Sequence, residues 1–487
     1  MDTSDRPESD VGVAPNPIAA EHYGSRTVAV EPGGVEYIPL SERHGRPIQL
    51  LYTWTSPNLE FATIAVGILG VLFWGLTFWQ TVAAIALGTA LGALTLGIMS
   101  TWGPQSGLCQ MVLSRAGFGF RGNILPAGIN AIVAGIGWFA VNSISGALAL
   151  HALLGVVPDW LCLLFVVIVQ LTLAFFGHNL VQAYERYAFP ALVLVFLAGV
   201  AVVMTHAHLG AAGRPGGPPT IGGFLLMVGA AYGYAVGWNP YAADYSRYLP
   251  GGSSRLAVGW SAALGVFVSC LVLESGGAAM VSAAGKAANV DPGIYTGLMP
   301  TWLGDLTLLC IALGAVAANA LNIYSGAMSF MAMGFPLRTH WSRATMALVF
   351  GVLGFALALS GLQNSGTKYE NFLLVIAYWI SPWLGVVLTD RVLRRGTGEA
   401  PALVRDLGFR NWAGPLAMAL GIGISIWLFS NQTEYVGVVP RAHPSVGDLT
   451  FEVGFVISVV AYLLLRLVFP ERRSATGRGG PPVPAES

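Results

Sequence analysis

The chain has 487 residues, of which 55% are hydrophobic and only 10% charged, and its mean hydropathy is +0.65. Soluble domains carry about 25% charged residues, so an ordinary soluble enzyme or nucleic-acid binder is excluded and an integral membrane protein is predicted. The 24 basic and 24 acidic residues cancel, so net charge points to no partner beyond the lipid bilayer.

Residues 1–57 read as a polar N-terminal tail. Its first 50 residues lack an apolar signal-peptide core and are expected to be mostly disordered. Twelve apolar segments follow, each near the ~20 residues that a helix needs to cross a bilayer. They centre on 58–80, 81–100, 126–150, 159–177, 185–206, 222–241, 256–281, 303–331, 340–361, 371–392, 411–430 and 450–469. A second polar tail, 470–487, ends GRGGPPVPAES. No soluble domain is implied.

If the N-terminus is inside, 20 of the 24 basic residues fall on the inner side, and Arg214, Lys286, Lys368 and Arg441 on the outer. That split follows the positive-inside rule. It predicts an even number of spans, with both termini cytoplasmic.

The first and sixth segments share an irregularity. The first carries Gly67 and Gly70 in AVGILG. The sixth carries GAAYGYAVGWNPYAADYSRYLP over 229–250, with Gly229, Gly233, Gly237 and Pro240. Backbone freed in hydrocarbon needs partners, so such breaks survive where protein or a wet cavity surrounds them. Segments 1–5 (58–206) and 6–10 (222–392) then read as two five-helix repeats, with two extra helices at 411–469. An odd-numbered unit must be inverted when repeated, and matching broken helices mark a midplane substrate site.

The third and eighth segments add polar side chains. Trp138 and Asn142 are four residues apart on one helix face. Asn319 and Asn322 lie on the repeat-equivalent eighth segment, within a stripe of small residues. Each asparagine alone could simply bridge helices. Together with Tyr232 and Tyr234 they suggest a pocket for a planar, neutral, hydrogen-bonding heterocycle, because rings stack on flat π-systems and amides both donate and accept. Cys109, Cys162, Cys270 and Cys310 have no metal or redox spacing and read as packing residues. No channel-filter motif and no nucleophile or metal constellation is visible, so neither a channel nor an enzyme is expected, and no cofactor.

Intramembrane acids are functional candidates. Glu274, in CLVLESGG, is the deepest. Asp244, at the inner end of the sixth segment, pairs with Arg247 in the simplest reading and fixes the loop.

The stretches GPQSGLCQMVLSRAGFGFRGN (103–123), GWFAVN (137–142), GWNPYAADYSRYLP (237–250), AANALNIYSG (317–326) and ENFLLVIAYWISPWLG (370–385) resemble the nucleobase–cation symporter family, in its purine–cytosine permease branch. The resemblance implies a leucine-transporter-type fold with twelve transmembrane helices, two inverted five-helix repeats and alternating access. It implies import of a nucleobase across the plasma membrane with a coupling cation, and no nucleic-acid partner. Allantoin, hydantoin, uracil or a vitamin heterocycle is the alternative cargo. No oligomeric state follows.

Among residues, the resemblance implies substrate contacts for Trp138, Asn142, Asn319 and Tyr234, with Tyr232 second at that position; Gly67, in the irregular first segment, is also expected to bind substrate. Ala320 departs from the Asn-Asn of some fungal relatives. Sodium-coupled relatives carry hydroxyl residues where this chain has Leu313 and Gly314. A hard cation wants oxygen ligands, so a proton is the expected coupling ion, with Glu274 its carrier, and sodium the alternative.

Overall fold

A computed structural model describes residues 34–473, apart from 177, 214–216, 219, 336–341, 363–364 and 398. Most of both expected tails, with Arg214 and Arg338, lies outside the described residues.

The described chain is all helical. The first spanning unit is bent: α1 (Gln49–Thr55) and α2 (Phe61–Leu72) meet at 61°. Then come α3 (Phe78–Ser100), α4 (Ile124–Leu154), α5 (Asp159–Phe176) and α6 (His178–His206). The second half runs α7 (Thr220–Val236), α8 (Ala242–Ser246), α9 (Arg255–Ala284), α10 (Thr301–Ala332), α11 (Ser342–Gly361) and α12 (Ser365–Leu393). Two more helices, α13 (Ala413–Phe429) and α14 (Thr450–Val468), complete it.

Among the described residues, eight spans are long and apolar enough to cross a membrane, or nine with the bent α1–α2 pair. Three shorter apolar helices, in α5, α11 and α13, occupy the remaining expected positions.

The packing pairs equivalent elements of the two halves. Helix α2 lies on α7, α3 on α9, α4 on α10 and α5 on α11. Small residues permit the approach. Gly88 and Gly92 on α3 press against the α7 backbone near Val228 and Val236, and Gly97 presses against Gly259 of α9. Helices α13 and α14 pack on each other and on α12.

The structure moves two boundaries. The first span begins at Gln49, not near 58. Residues 34–48 form a strap rather than a loose tail: His44 N–H donates to the Tyr248 carbonyl at 2.6 Å, and the Arg43 guanidinium to Pro104 O at 2.6 Å. The start of the C-terminal tail is also anchored, by backbone hydrogen bonds between Arg410 and Arg472.

Candidate substrate site at the two broken helices

The first break is not at Gly67 and Gly70. Helix α2 runs straight through both, and the interruption lies at Ser56–Glu60. Proline removes an N–H and clashes with the preceding turn, so Pro57 ends α1 and heads a 3-10 turn, Ser56–Asn58. Leu59 and Glu60 are non-helical, and Glu60 is fully extended. Gly67 has a packing role: a side chain there would strike the Glu274 backbone of α9.

The second break is at Gly237–Tyr241. Helix α7 stays helical through Gly229 and Gly233 to Val236. Pro240 then heads a 3-10 turn, Asn239–Tyr241, before α8 resumes. Gly233 serves close packing on the α12 backbone at Leu373.

Side chains at and beside both breaks are tied down by hydrogen bonds to backbone carbonyls. Asn58 Nδ2 donates to Trp54 O at 2.6 Å, and Tyr369 OH to Ala62 O at 2.9 Å. Asn239 Nδ2 donates to Gly92 O at 3.1 Å. Two bonds join break to break. Trp238 Nε1 donates to Asn58 Oδ1 at 2.9 Å, and the hydroxyls of Thr63 and Tyr234 share a hydrogen bond of 2.5 Å.

Trp138 arrives from α4, at the end of a π-helical turn over Val133–Trp138. Such turns are rare and frequent at functional sites. Its ring meets Tyr234 edge-on at 5.5 Å and Phe372 edge-on at 5.1 Å. One turn on, Asn142 Nδ2 donates to Asn319 Oδ1 at 3.0 Å. Asn319 Nδ2 donates to Phe139 O at 2.8 Å and to Ser143 Oγ at 3.0 Å, and Asn322 adds a donor to Asn319 Oδ1 at 3.4 Å. That exhausts Asn319, which has two donors and two lone pairs. Asn142 makes only its one side-chain bond among the described residues, which leaves its carbonyl oxygen and second N–H for a ligand.

The structure thus brings together Trp138, Tyr234, Asn142 and Asn319. It does not bring Tyr232 to them. Tyr232 lies on the far face of α7, where its hydroxyl bonds Ser381 at 2.7 Å and its ring stacks on Phe451 of α14 at 4.1 Å. Residues two apart on a helix cannot share a face. Asp244 accepts from the Gln110 N–H at 2.8 Å. Arg247 donates to Gly34 O and the Tyr324 hydroxyl, both at 3.0 Å, so it ties the N-terminal strap to α10. Glu274 is wholly buried, with the Cys270 thiol beside it and, among the described residues, no hydrogen bond of normal geometry to either carboxylate oxygen.

Sequence reasoning missed Glu60, Phe372 and Tyr369. Glu60 sits in the α1–α2 break with no exposure, and its Oε2 accepts from Ser145 Oγ at 2.9 Å. The signal was available: a Pro and an acid inside an apolar run, SPNLEF at 56–61. Above the cluster, on the face opposite the chain tails, a cavity of 340 Å³ is lined by Phe61, Ala62, Ser145, Lys368, Tyr369 and Phe372, among others. None of the six candidate substrate residues lines it; Phe372 and Ser145 separate it from the cluster.

Two broken helices that cross at an aromatic–amide cluster, inside paired five-helix halves, define a secondary transporter of the leucine-transporter type. The family model for permeases of cytosine/purines, uracil, thiamine and allantoin matches residues 37–454, and the chain belongs to that family of membrane transporters, which are not enzymes. It is 31% identical to the purine-cytosine permease fcyB of Emericella nidulans, across 90% of this chain and 88% of that one. It is 29% identical to the putative purine-cytosine permease YxlA of Bacillus subtilis, across 90% and 96%. Its fold matches Mhp1, a nucleobase-cation-symport-1 family transporter solved in a closed conformation with bromovinylhydantoin bound. The TM-score is 0.70 at 19% identity, covering 90% of this chain and 96% of that one.

Proposed function

We propose that this protein imports a nucleobase, cytosine or a purine, by proton symport with alternating access. The aromatic–amide cluster carries the reading: Trp138 and Tyr234 offer ring faces or edges, and the unfilled half of the Asn142 carboxamide lies one helical turn away. In this division of labour, Asn142 reads the base edge and Asn319 holds Asn142 in place. The names of the relatives supply the substrate class. Burial of the whole cluster means that a base enters only when α2, α4 and α12 part, as alternating access requires.

Helix α10 supports the proton as coupling ion. A cation site beside the first break needs oxygen ligands, and the helix offers Leu313 and Gly314 toward that end of the molecule. Gly314 packs against the Leu59 carbonyl, and a side chain there would strike it. A proton asks only for a carboxyl, and Glu60 and Glu274 are both at hand.

The charge split supports an orientation with the tails in the cytoplasm and the 340 Å³ cavity outside, in the plasma membrane. The test is uptake of radiolabelled cytosine into cells that express the protein, competed by an unlabelled panel of adenine, guanine, hypoxanthine, uracil, allantoin and hydantoin. Accumulation is expected to rise as external pH falls, to ignore replacement of sodium by choline, and to collapse with an uncoupler. Competition by allantoin or hydantoin but by none of the purines or cytosine overturns the substrate class. A sodium requirement at constant pH overturns the proton.

A further inference from the structure

We propose that Glu60 is the carboxyl that carries the coupling proton, loaded from the 340 Å³ cavity by way of Ser145. The inference rests on the proton-symport reading and names its residue.

Glu60 occupies the α1–α2 break itself and is wholly buried. Its two oxygens are in different surroundings. Oε2 accepts from Ser145 Oγ at 2.9 Å. Oε1 is buried and has no hydrogen bond of normal geometry among the described residues, with the Tyr234 hydroxyl and the Phe61 and Ala62 N–H groups close to the carboxylate. No salt bridge to Glu60 forms among the described residues. A carboxyl with one anchored and one open oxygen can take a proton on the open side without losing its place.

Access is built in. Ser145 lines the cavity, and so do Phe61 and Ala62, the two residues that follow Glu60. One hydroxyl therefore separates the carboxyl from the cavity. Room for the acid comes from α10: at Gly314 a Cβ would stand 2.8 Å from that of Glu60, so a larger residue would push the break away.

The acid is also linked to the substrate cluster. The Tyr234 hydroxyl neighbours Glu60 and is bonded to Thr63 at 2.5 Å. The Tyr234 ring packs on Trp138. A change of charge on Glu60 thus acts on the wall against which a base would rest. The titratable groups around it are Tyr234 on α7, Tyr369 on α12, and Cys270 and Glu274 on α9. Helices α4 and α10 contribute Ser145 and Gly314, which do not titrate, and Lys368 stands at the cavity wall, its ammonium on Ser360 O at 2.9 Å.

Glu274 is the competing acid. It lies behind α2, where Gly67 meets its backbone. Its nearest polar neighbour is the Cys270 thiol on its own helix, and among the described residues neither Glu274 nor Cys270 lines the cavity.

The experiment uses purified full-length protein in proteoliposomes, with radiolabelled cytosine or the purine that best competes with it. Wild type is expected to accumulate base under an inward proton gradient. Glu60→Gln should lose accumulation and its pH dependence but keep base-for-base counterflow. Glu60→Asp and Ser145→Ala should keep accumulation with a shifted pH profile, which covers the case in which Glu60→Gln does not insert. Glu274→Gln, at the competing acid, should keep the wild-type pH dependence of accumulation, and loss of that dependence in Glu274→Gln but not in Glu60→Gln overturns the proposal. Glu60→Gln with the wild-type pH profile overturns the proposal, as does an unmoved profile in both Glu60→Asp and Ser145→Ala. Wild type that is indifferent to the proton gradient and driven by sodium overturns the symport reading itself, a distinguishable failure.

Discussion

The chemistry of recognition rests on a few side chains whose bonding is unequal. Trp138 is held edge-on by Tyr234 and Phe372, so its indole is rigid before any base arrives. Base–aromatic stacking is worth about 1–3 kcal/mol. Trp138→Ala is therefore expected to weaken apparent uptake affinity by roughly ten- to hundredfold at equal surface expression, and Trp138→Phe to recover part of it. Unchanged affinity in the alanine variant would remove the residue from the site. The two asparagines should separate by readout. Asn142→Ala loses a free carbonyl and N–H, and should cost about 1–3 kcal/mol of affinity with little change in thermal stability. Asn319→Ala strips partners from Asn142, Ser143 and the Phe139 carbonyl, so it should also lower the melting temperature of the detergent-purified protein. Equal stability losses in both variants would refute this division.

At the scale of elements, the two breaks have different makers. Pro57 imposes the first by removing a donor and crowding the turn. The second comes from Gly237 followed by Pro240. The glycines that drew attention in the sequence, Gly67 and Gly233, instead set how close α2 and α7 come to their neighbours. A Cβ on Gly67 would overlap the Glu274 backbone, and one on Gly277 would lie 2.9 Å from the Ile64 carbonyl carbon. Gly67→Val should then push α2 off α9, at about 1–3 kcal/mol for overpacking. It should lower the melting temperature more than Gly67→Ala does. A valine variant as stable and active as wild type would show that this contact yields easily.

At the scale of the molecule, the two faces are built from different materials. On the tail face, Arg394 bonds Asp390 at 3.0 Å and also reaches Glu471, while Arg466 bonds Glu471 at 2.9 Å. Tyr462 donates to Asp390 at 2.7 Å. This network ties α12, α14 and the start of the C-terminal tail together. The opposite face holds the apolar cavity and few charges. All four native cysteines are buried, so engineered ones can report sidedness. Lys286→Cys and Thr433→Cys should react with an impermeant maleimide on intact cells. Gly252→Cys and Arg395→Cys should react only after permeabilisation. The reverse pattern would place the tails outside.

Hydropathy alone determined the class, because a bilayer imposes a minimum apolar length on every span and forbids unpaired backbone within it. Eleven of the twelve expected segments match helices to within a few residues at most of their ends, whereas the first, expected at 58–80, is displaced to the bent pair that runs from Gln49 to Leu72. Local spacing placed Trp138 and Asn142 on one face, since helical period is a one-dimensional property. It separates the faces of Tyr232 and Tyr234 but could not decide which of the two meets Trp138. Both lie in one run, and only the packing of α7 against α12 and α14 turned one outward and left the other at Trp138. Nor could it distinguish a glycine that breaks a helix from one that lets two helices touch, because that depends on a neighbour distant in the chain. For Glu60 the sequence displayed the acid beside Pro57 but not its surroundings. Its significance comes from Ser145, 85 residues away, from the cavity that Ser145 lines, and from the absent side chain at Gly314. Those three are neighbours only after the two halves of the chain have packed face to face.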